Sequence, residues 1–184
     1  MRWLFGLLTL ALLSVVALSS CERTHPGIQP DEMRIAARWL EDVAHGIPRR
    51  AGELELTGAS SELLHLAQWA GGDDRDGVRS PPLQLRARIN RHPSLAAALR
   101  SGVALIDAKT GLVGPTPTLS GADQALAAEI TDPENRNRRT IDAIVISLTG
   151  ASIEAAGWYN EAVRAARVAN DTADGGTLWQ PLDH

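Results

Sequence analysis

The sequence predicts an all-α protein: several short to medium helices packed in a small irregular bundle, with at most one short strand. Three observations carry that prediction. Apolar residues return at three- and four-residue spacing in segment after segment, the period of one helix face, while sustained alternation is missing. Serine, aspartate and proline stand where these segments begin, and glycine where they stop. Aromatic residues make up only 4 % of the chain, so the core has to come from Leu, Ile, Val and Ala, which suit close helix packing.

Residues 1–20 read as a signal peptide. Arg2 supplies one positive charge, and Trp3 to Leu18 form an apolar stretch broken only by Gly6, Thr9 and Ser14. A bilayer-spanning helix needs about 20 apolar residues, and Glu22, Arg23, Pro26 and Gly27 follow at once. A cleaved leader fits better than a permanent span. The stretch closes on Leu18-Ser19-Ser20-Cys21, which resembles a bacterial lipobox. The only cysteine, Cys21, would then carry a diacylglyceryl group on sulfur and an acyl chain on its freed amine. Each buried methylene contributes ~0.8 kcal/mol, and two or more chains hold stably where one does not, so lipidated Cys21 would keep the protein on a membrane. Glu22 stands at the sorting position, where an aspartate would resemble an inner-membrane retention signal. The expected location is therefore the outer membrane, facing the periplasm.

A lone cysteine excludes disulfides within the domain and any cysteine-based zinc site. Removing residues 1–20, among them Arg2, takes the formal net charge from −4 to −5. That balance argues against nucleic acid and against a basic lipid-binding patch.

Residues 21–30 form a lipidated tether with Pro26, Gly27 and Pro30, and residues 31–70 an N-terminal helical region. Pro30-Asp31-Glu32 opens a helix, with acids at its positive end; Ile35, Trp39 and Val43 recur at helical spacing, and Gly46 with Pro48 ends it. Glu53 to Thr57 is compatible with one short strand or the lead into the next helix. Ser60-Ser61 caps a helix through Trp69. Residues 71–82, GGDDRDGVRSPP, form a loop or linker. Asp73, Asp74, Asp76 and Gly77 invite a calcium loop, but placing Gly77 at its sixth position puts Gly72 first and Leu83 twelfth, where carboxylates are needed.

Residues 83–184 form the main helical domain. Leu83, Leu85 and Ile89 begin a helix halted near His92-Pro93, and Ser94 caps another toward Gly102. Two glycines and two prolines make residues 111–117 a turn. Ser120 with Asp123 starts a helix through Ile130. Asp132-Pro133-Glu134 signals a fresh start, with Ile141, Ile144, Val145 and Leu148 on one face and Gly150 as the stop. Ser152 caps the last helix, carrying Ile153, Ala156, Ala162, Val163 and Ala166 inward. About seven helices result.

Signatures of catalysis are missing. The histidines, His25, His45, His65, His92 and His184, form no His-Glu-x-x-His pair. Glu41 and His45, one turn apart, read as an exposed helix pair rather than metal ligands. Glu53 and Glu55 read as a solvated face, and no Gly-x-Ser-x-Gly elbow occurs. No catalytic residue, metal or cofactor is expected. One polar cluster remains: Arg136, Arg138 and Arg139 sit where arginine opposes the helix dipole. They could hold an acidic segment, a phosphate or a lipid head group, or pair along the helix with Glu134 and Asp142 for ~0.2–0.5 kcal/mol each.

From about Arg88 to Trp179 the chain resembles the small periplasmic YdbL-like family. The resemblance runs through Arg91-His92-Pro93-Ser94-Leu95, Gly111-Leu-Val-Gly114, Asn135-x-x-Arg138-Arg139, Gly150-Ala-Ser-Ile-Glu154 and a lone tryptophan, Trp179. Pro115 stands where the family tends to an acid, and Asp142 where it has a tyrosine. The resemblance implies an accessory or chaperone-like factor, without known catalytic residues, that serves outer-membrane lipid transport or envelope assembly. The expected protein is thus a non-catalytic lipoprotein that binds another envelope protein through Arg136, Arg138 and Arg139 and across Trp158 and Tyr159. The alternatives are an envelope hydrolase, which needs convergent titratable groups such as Glu41 and His45, and a helical carrier of lipid or another small ligand, which needs an apolar cavity.

Overall fold

The computed structural model describes residues 28–47, 49, 54, 58–71 and 81–179. The leader, residues 21–27 of the tether with Cys21 and His25, Glu53, Glu55, the aspartates of the 71–82 loop and His184 lie outside the described residues. Among the described residues five helices and three strands follow one another: α1 (Pro30–Ala44), α2 (Ser61–Trp69), α3 (Leu83–Arg100), β1 (Ala104–Asp107), β2 (Leu112–Pro115), α4 (Gly121–Thr149), α5 (Ile153–Ala173) and β3 (Leu178–Trp179). Among the described residues no helix is long and apolar enough to cross a membrane.

Local chemistry sets most of the helix ends. The hydroxyls of Ser60, Ser120 and Ser152 accept from the N–H groups of Leu63, Asp123 and Ala155, each satisfying a donor in the first turn. Glu32 bonds back to the Gln29 N–H at 3.0 Å and reaches the Ser60 N–H at 2.7 Å, tying the start of α1 to the start of α2. Gly150 ends α4 in the left-handed conformation at φ +57°.

Two prolines expected to break helices lie inside them. Pro93 sits within α3 and Pro133 within α4, although an interior proline removes a backbone bond and costs about 3 kcal/mol. Burial continues across both. Leu85 and Arg88 before Pro93 face inward like Leu95 and Leu99 after it, and the buried row of α4 runs Ala127, Thr131, Glu134, Arg138, Ile141, Val145, Thr149 without a break. Tertiary packing of one face outweighs the local penalty.

The fold is mostly helical, but it holds a three-stranded sheet where at most one short strand was expected. The order is β2-β1-β3, with β1 antiparallel to β2 through Ile106↔Val113 and parallel to β3 through Ile106↔Leu178. Residues 111–117, expected as irregular turn, supply β2. Gly111 makes the hairpin possible: it turns at φ +65°, and a Cβ there would come within 3.1 Å of the Arg164 backbone. Ile153, expected inside, is 94 % exposed, and α5 instead buries Ala155, Tyr159, Val163, Arg167 and Asp171 at four-residue intervals.

Two apolar clusters result. The larger joins Met33 and Leu40 of α1, Leu63 and Leu66 of α2, Leu85 of α3, Ile141 and Val145 of α4, and Tyr159 and Val163 of α5. The smaller joins Leu95 and Leu99 to Ala104, Ile106 and Val113 of the sheet. Along α3, α4 and α5 alike, the chain passes from one cluster to the other through buried charged residues.

Candidate functional site

Those charged residues form one connected layer. Arg88 grips Glu41 with two parallel hydrogen bonds, 2.9 and 2.7 Å, and donates its Nε to Glu134 at 2.7 Å. Arg138 donates to the same Glu134 oxygen at 2.9 Å and spans both oxygens of Asp171 at 3.0 and 3.1 Å. Arg167 reaches Glu41 at 2.9 Å and forks onto Asp142 at 3.0 and 2.7 Å. Arg91 closes the second oxygen of Glu134 at 3.1 Å, and the Tyr159 hydroxyl donates to Asp142 at 3.1 Å. Planar guanidinium forks suit this bidentate geometry as lysine would not.

The electrostatics follow from mutual neutralisation. Burial pushes the Glu134 carboxyl up, but Arg88 and Arg138 hold it at about 2. Glu41 lies lower still, because Arg88 and Arg167 outweigh its burial. Arg138 outweighs burial at Asp171 in the same way. Burial and the neighbouring Asp142 push the Tyr159 hydroxyl well above its ordinary value.

At the edge of this layer α1 and α5 end side by side. His45, the residue after α1, donates Nδ1–H to the Glu41 carbonyl at 2.7 Å and turns Nε2 toward Asp171 at 3.3 Å. Burial lowers the His45 pKa, but the bonds to Asp171 and the Glu41 carbonyl outweigh it and raise the value. His92 of α3 meets Asp174, the residue after α5, at 2.8 Å, and the two imidazoles stand edge to face with centroids 4.9 Å apart.

A second feature lies on the outer face of the sheet. A groove of about 370 Å³ is lined by Leu105, Leu112, Pro115, Pro117 and Trp179, with Arg139 supplying a cation and Asp107 an anion. The sheet has one free face because only the other, through Ala104, Ile106 and Val113, packs on helices.

The expected binding residues are thereby divided. Arg136 and Arg139 are exposed, and Arg139 lines the sheet groove. Arg138 has no exposed surface: its guanidinium is used by Glu134, Asp171 and the Gly111 carbonyl, so it cannot belong to an open surface as expected. Tyr159 is likewise fully buried in the larger core. Trp158 is half-buried with the Arg34 guanidinium 4.0 Å from its ring centre. Glu41 and His45 are not an exposed pair either, since Glu41 lies inside the ionic layer. As an acid or base for hydrolysis Glu41 is badly placed, its carboxylate being occupied by Arg88 and Arg167. Between the helices, Met33, Leu40, Leu63, Leu85 and Tyr159 pack together as part of the larger core.

No family model, curated protein or solved structure matches this chain. Its own geometry shows why the Asn135-x-x-Arg138-Arg139 run is demanding. The Asn135 carboxamide takes both the N–H and the C=O of Val113, at 3.1 and 2.7 Å, Arg138 takes the Gly111 carbonyl at 2.7 Å, and Arg139 faces the groove.

Sequence reasoning missed Arg88, Arg167, Asp171, His92 and Asp174. A signal existed in α4: stepping back three residues from Ile141 lands on Arg138, and four more on Glu134, charged residues on an apolar face. In α5 the same four-residue row runs Tyr159, Val163, Arg167, Asp171. Charge on a core stripe marks a buried ionic cluster.

Proposed function

We propose that the chain is a non-catalytic, lipid-anchored accessory protein of the outer membrane that binds an extended segment of another envelope protein in the groove on its sheet. The groove is the observation that carries this reading. It joins apolar walls to the Arg139 guanidinium and the Asp107 carboxylate, the chemistry that accepts apolar side chains flanked by charged groups of both signs. The lipobox-like leader supports the anchor, and the YdbL-like resemblance supports an accessory or chaperone-like role in lipid transport or envelope assembly. In this reading the ionic layer fixes three long helices and the sheet rigidly, so that Arg139 and Trp179 are held ready for the partner.

A photo-crosslinking side chain placed at Leu112 or Trp179 in cells tests it. The expected result is one discrete adduct, the same protein identified from both positions, weakened by Arg139→Glu and absent when the probe replaces exposed Ile153. No adduct from either groove position sinks the reading. For the anchor, Cys21→Ala is expected to move the protein from the membrane to the soluble fraction; unchanged fractionation removes the lipid from the account.

A further inference from the structure

We infer that His45, His92 and Asp174 form a binding site for one divalent transition-metal ion of the zinc class. The site shares no residue with the groove and stands independently of the function proposed above. Its three ligand atoms come from three different helices or their ends and lie within 4.8 Å of one another. His92 Nε2 is 2.8 Å and His45 Nε2 3.9 Å from the same Asp174 oxygen. Tetrahedral zinc with bonds near 2.1 Å separates its ligands by roughly 3.3 Å, a value these distances bracket, so small side-chain rotations bring all three into register.

Four further features favour a cation there. His45 already donates Nδ1–H to the Glu41 carbonyl, the outer contact that fixes the tautomer of a metal-bound imidazole and leaves Nε2 to coordinate. The carboxylate of Asp171, 3.3 Å from His45 Nε2 and spanned on both oxygens by Arg138, supplies negative charge beside the site. The C-termini of α1 and α5 both end at the cluster, and neither has a basic residue in its last turn; their dipoles present partial negative charge to the same point. Finally, His92 and Asp174 are 24 % and 23 % exposed at their side chains, so an ion can enter and keep water in the remaining position. Two imidazoles with one carboxylate favour zinc and its first-row neighbours over calcium or magnesium.

The test uses full-length protein purified in detergent without a histidine tag, stripped with EDTA, and titrated with ZnCl₂ by calorimetry and with CoCl₂ by visible absorption. One saturable equivalent of zinc is expected, with cobalt giving ligand-field bands that zinc displaces. His92→Gln and Asp174→Asn, with unchanged circular dichroism, are expected to weaken zinc by at least the roughly 10- to 100-fold that loss of an outer contact alone produces. His65→Gln, at an exposed position on α2, is expected to change nothing. Absence of saturable binding to the unmodified protein, or equal affinity in folded His92→Gln and Asp174→Asn variants, overturns the assignment.

Discussion

The larger apolar cluster and the ionic layer beside it are equally dry, but they hold the fold by different rules. Met33, Leu40, Leu63 and Leu85 attract their neighbours without direction, and a lost methyl costs in proportion to the hole it leaves. Arg88, Arg138 and Arg167 are each committed to two carboxylates, and losing one leaves charges stranded where water cannot reach them. The apolar end tolerates any arrangement that packs closely, whereas the ionic layer is satisfied only when its charges meet their partners. Its partners come from α1, α3, α4 and α5 and are separated by as many as 126 residues.

Arg138→Met should break that contrast most sharply. It strands Asp171, part of Glu134 and the Gly111 carbonyl together, and is expected to cost about 3–5 kcal/mol in urea unfolding. Adding Asp171→Asn should recover part of the loss, because the stranded charge is then removed. Acid should act on the layer and not on the apolar cluster. The Glu134 carboxyl is depressed in the folded state, so its contribution is complete above its ordinary value of 4.5 and lost as pH falls toward about 2. That loss is on the order of 3 kcal/mol from this group, and melting temperature followed from pH 6 to pH 2 checks it. The smallest effect belongs to the apolar side: Ile141→Val, in the larger cluster, should cost only about 0.5–1.5 kcal/mol. A loss as large as that of Arg138→Met would erase the distinction between the two regions.

Legibility in the sequence followed the range of each interaction. The caps at Ser60, Ser120 and Ser152 and the stop at Gly150 act over three or four residues, and they stand where the sequence places them. Pro93 and Pro133 misled because a local penalty was weighed without the tertiary burial that overrides it. The sheet was hidden because β1 and β2 have four residues each and β2 contains both glycine and proline. The α4 arginines were visible as a cluster, but the local pattern could not tell which would face inward. Only Glu134 with Arg138 lies at helical spacing; His92 and Asp174 are 82 residues apart and meet through the fold alone.

Asn135 has one further consequence. By answering both the N–H and the C=O of Val113, its carboxamide stands in for a neighbouring strand, while Pro115 has no amide hydrogen to offer and Arg138 covers the Gly111 carbonyl. The β2 margin is thereby denied to any second chain seeking to stack against it. Shortening that one amide to alanine should make the sedimentation rate depend on concentration more steeply than it does in the unmodified protein.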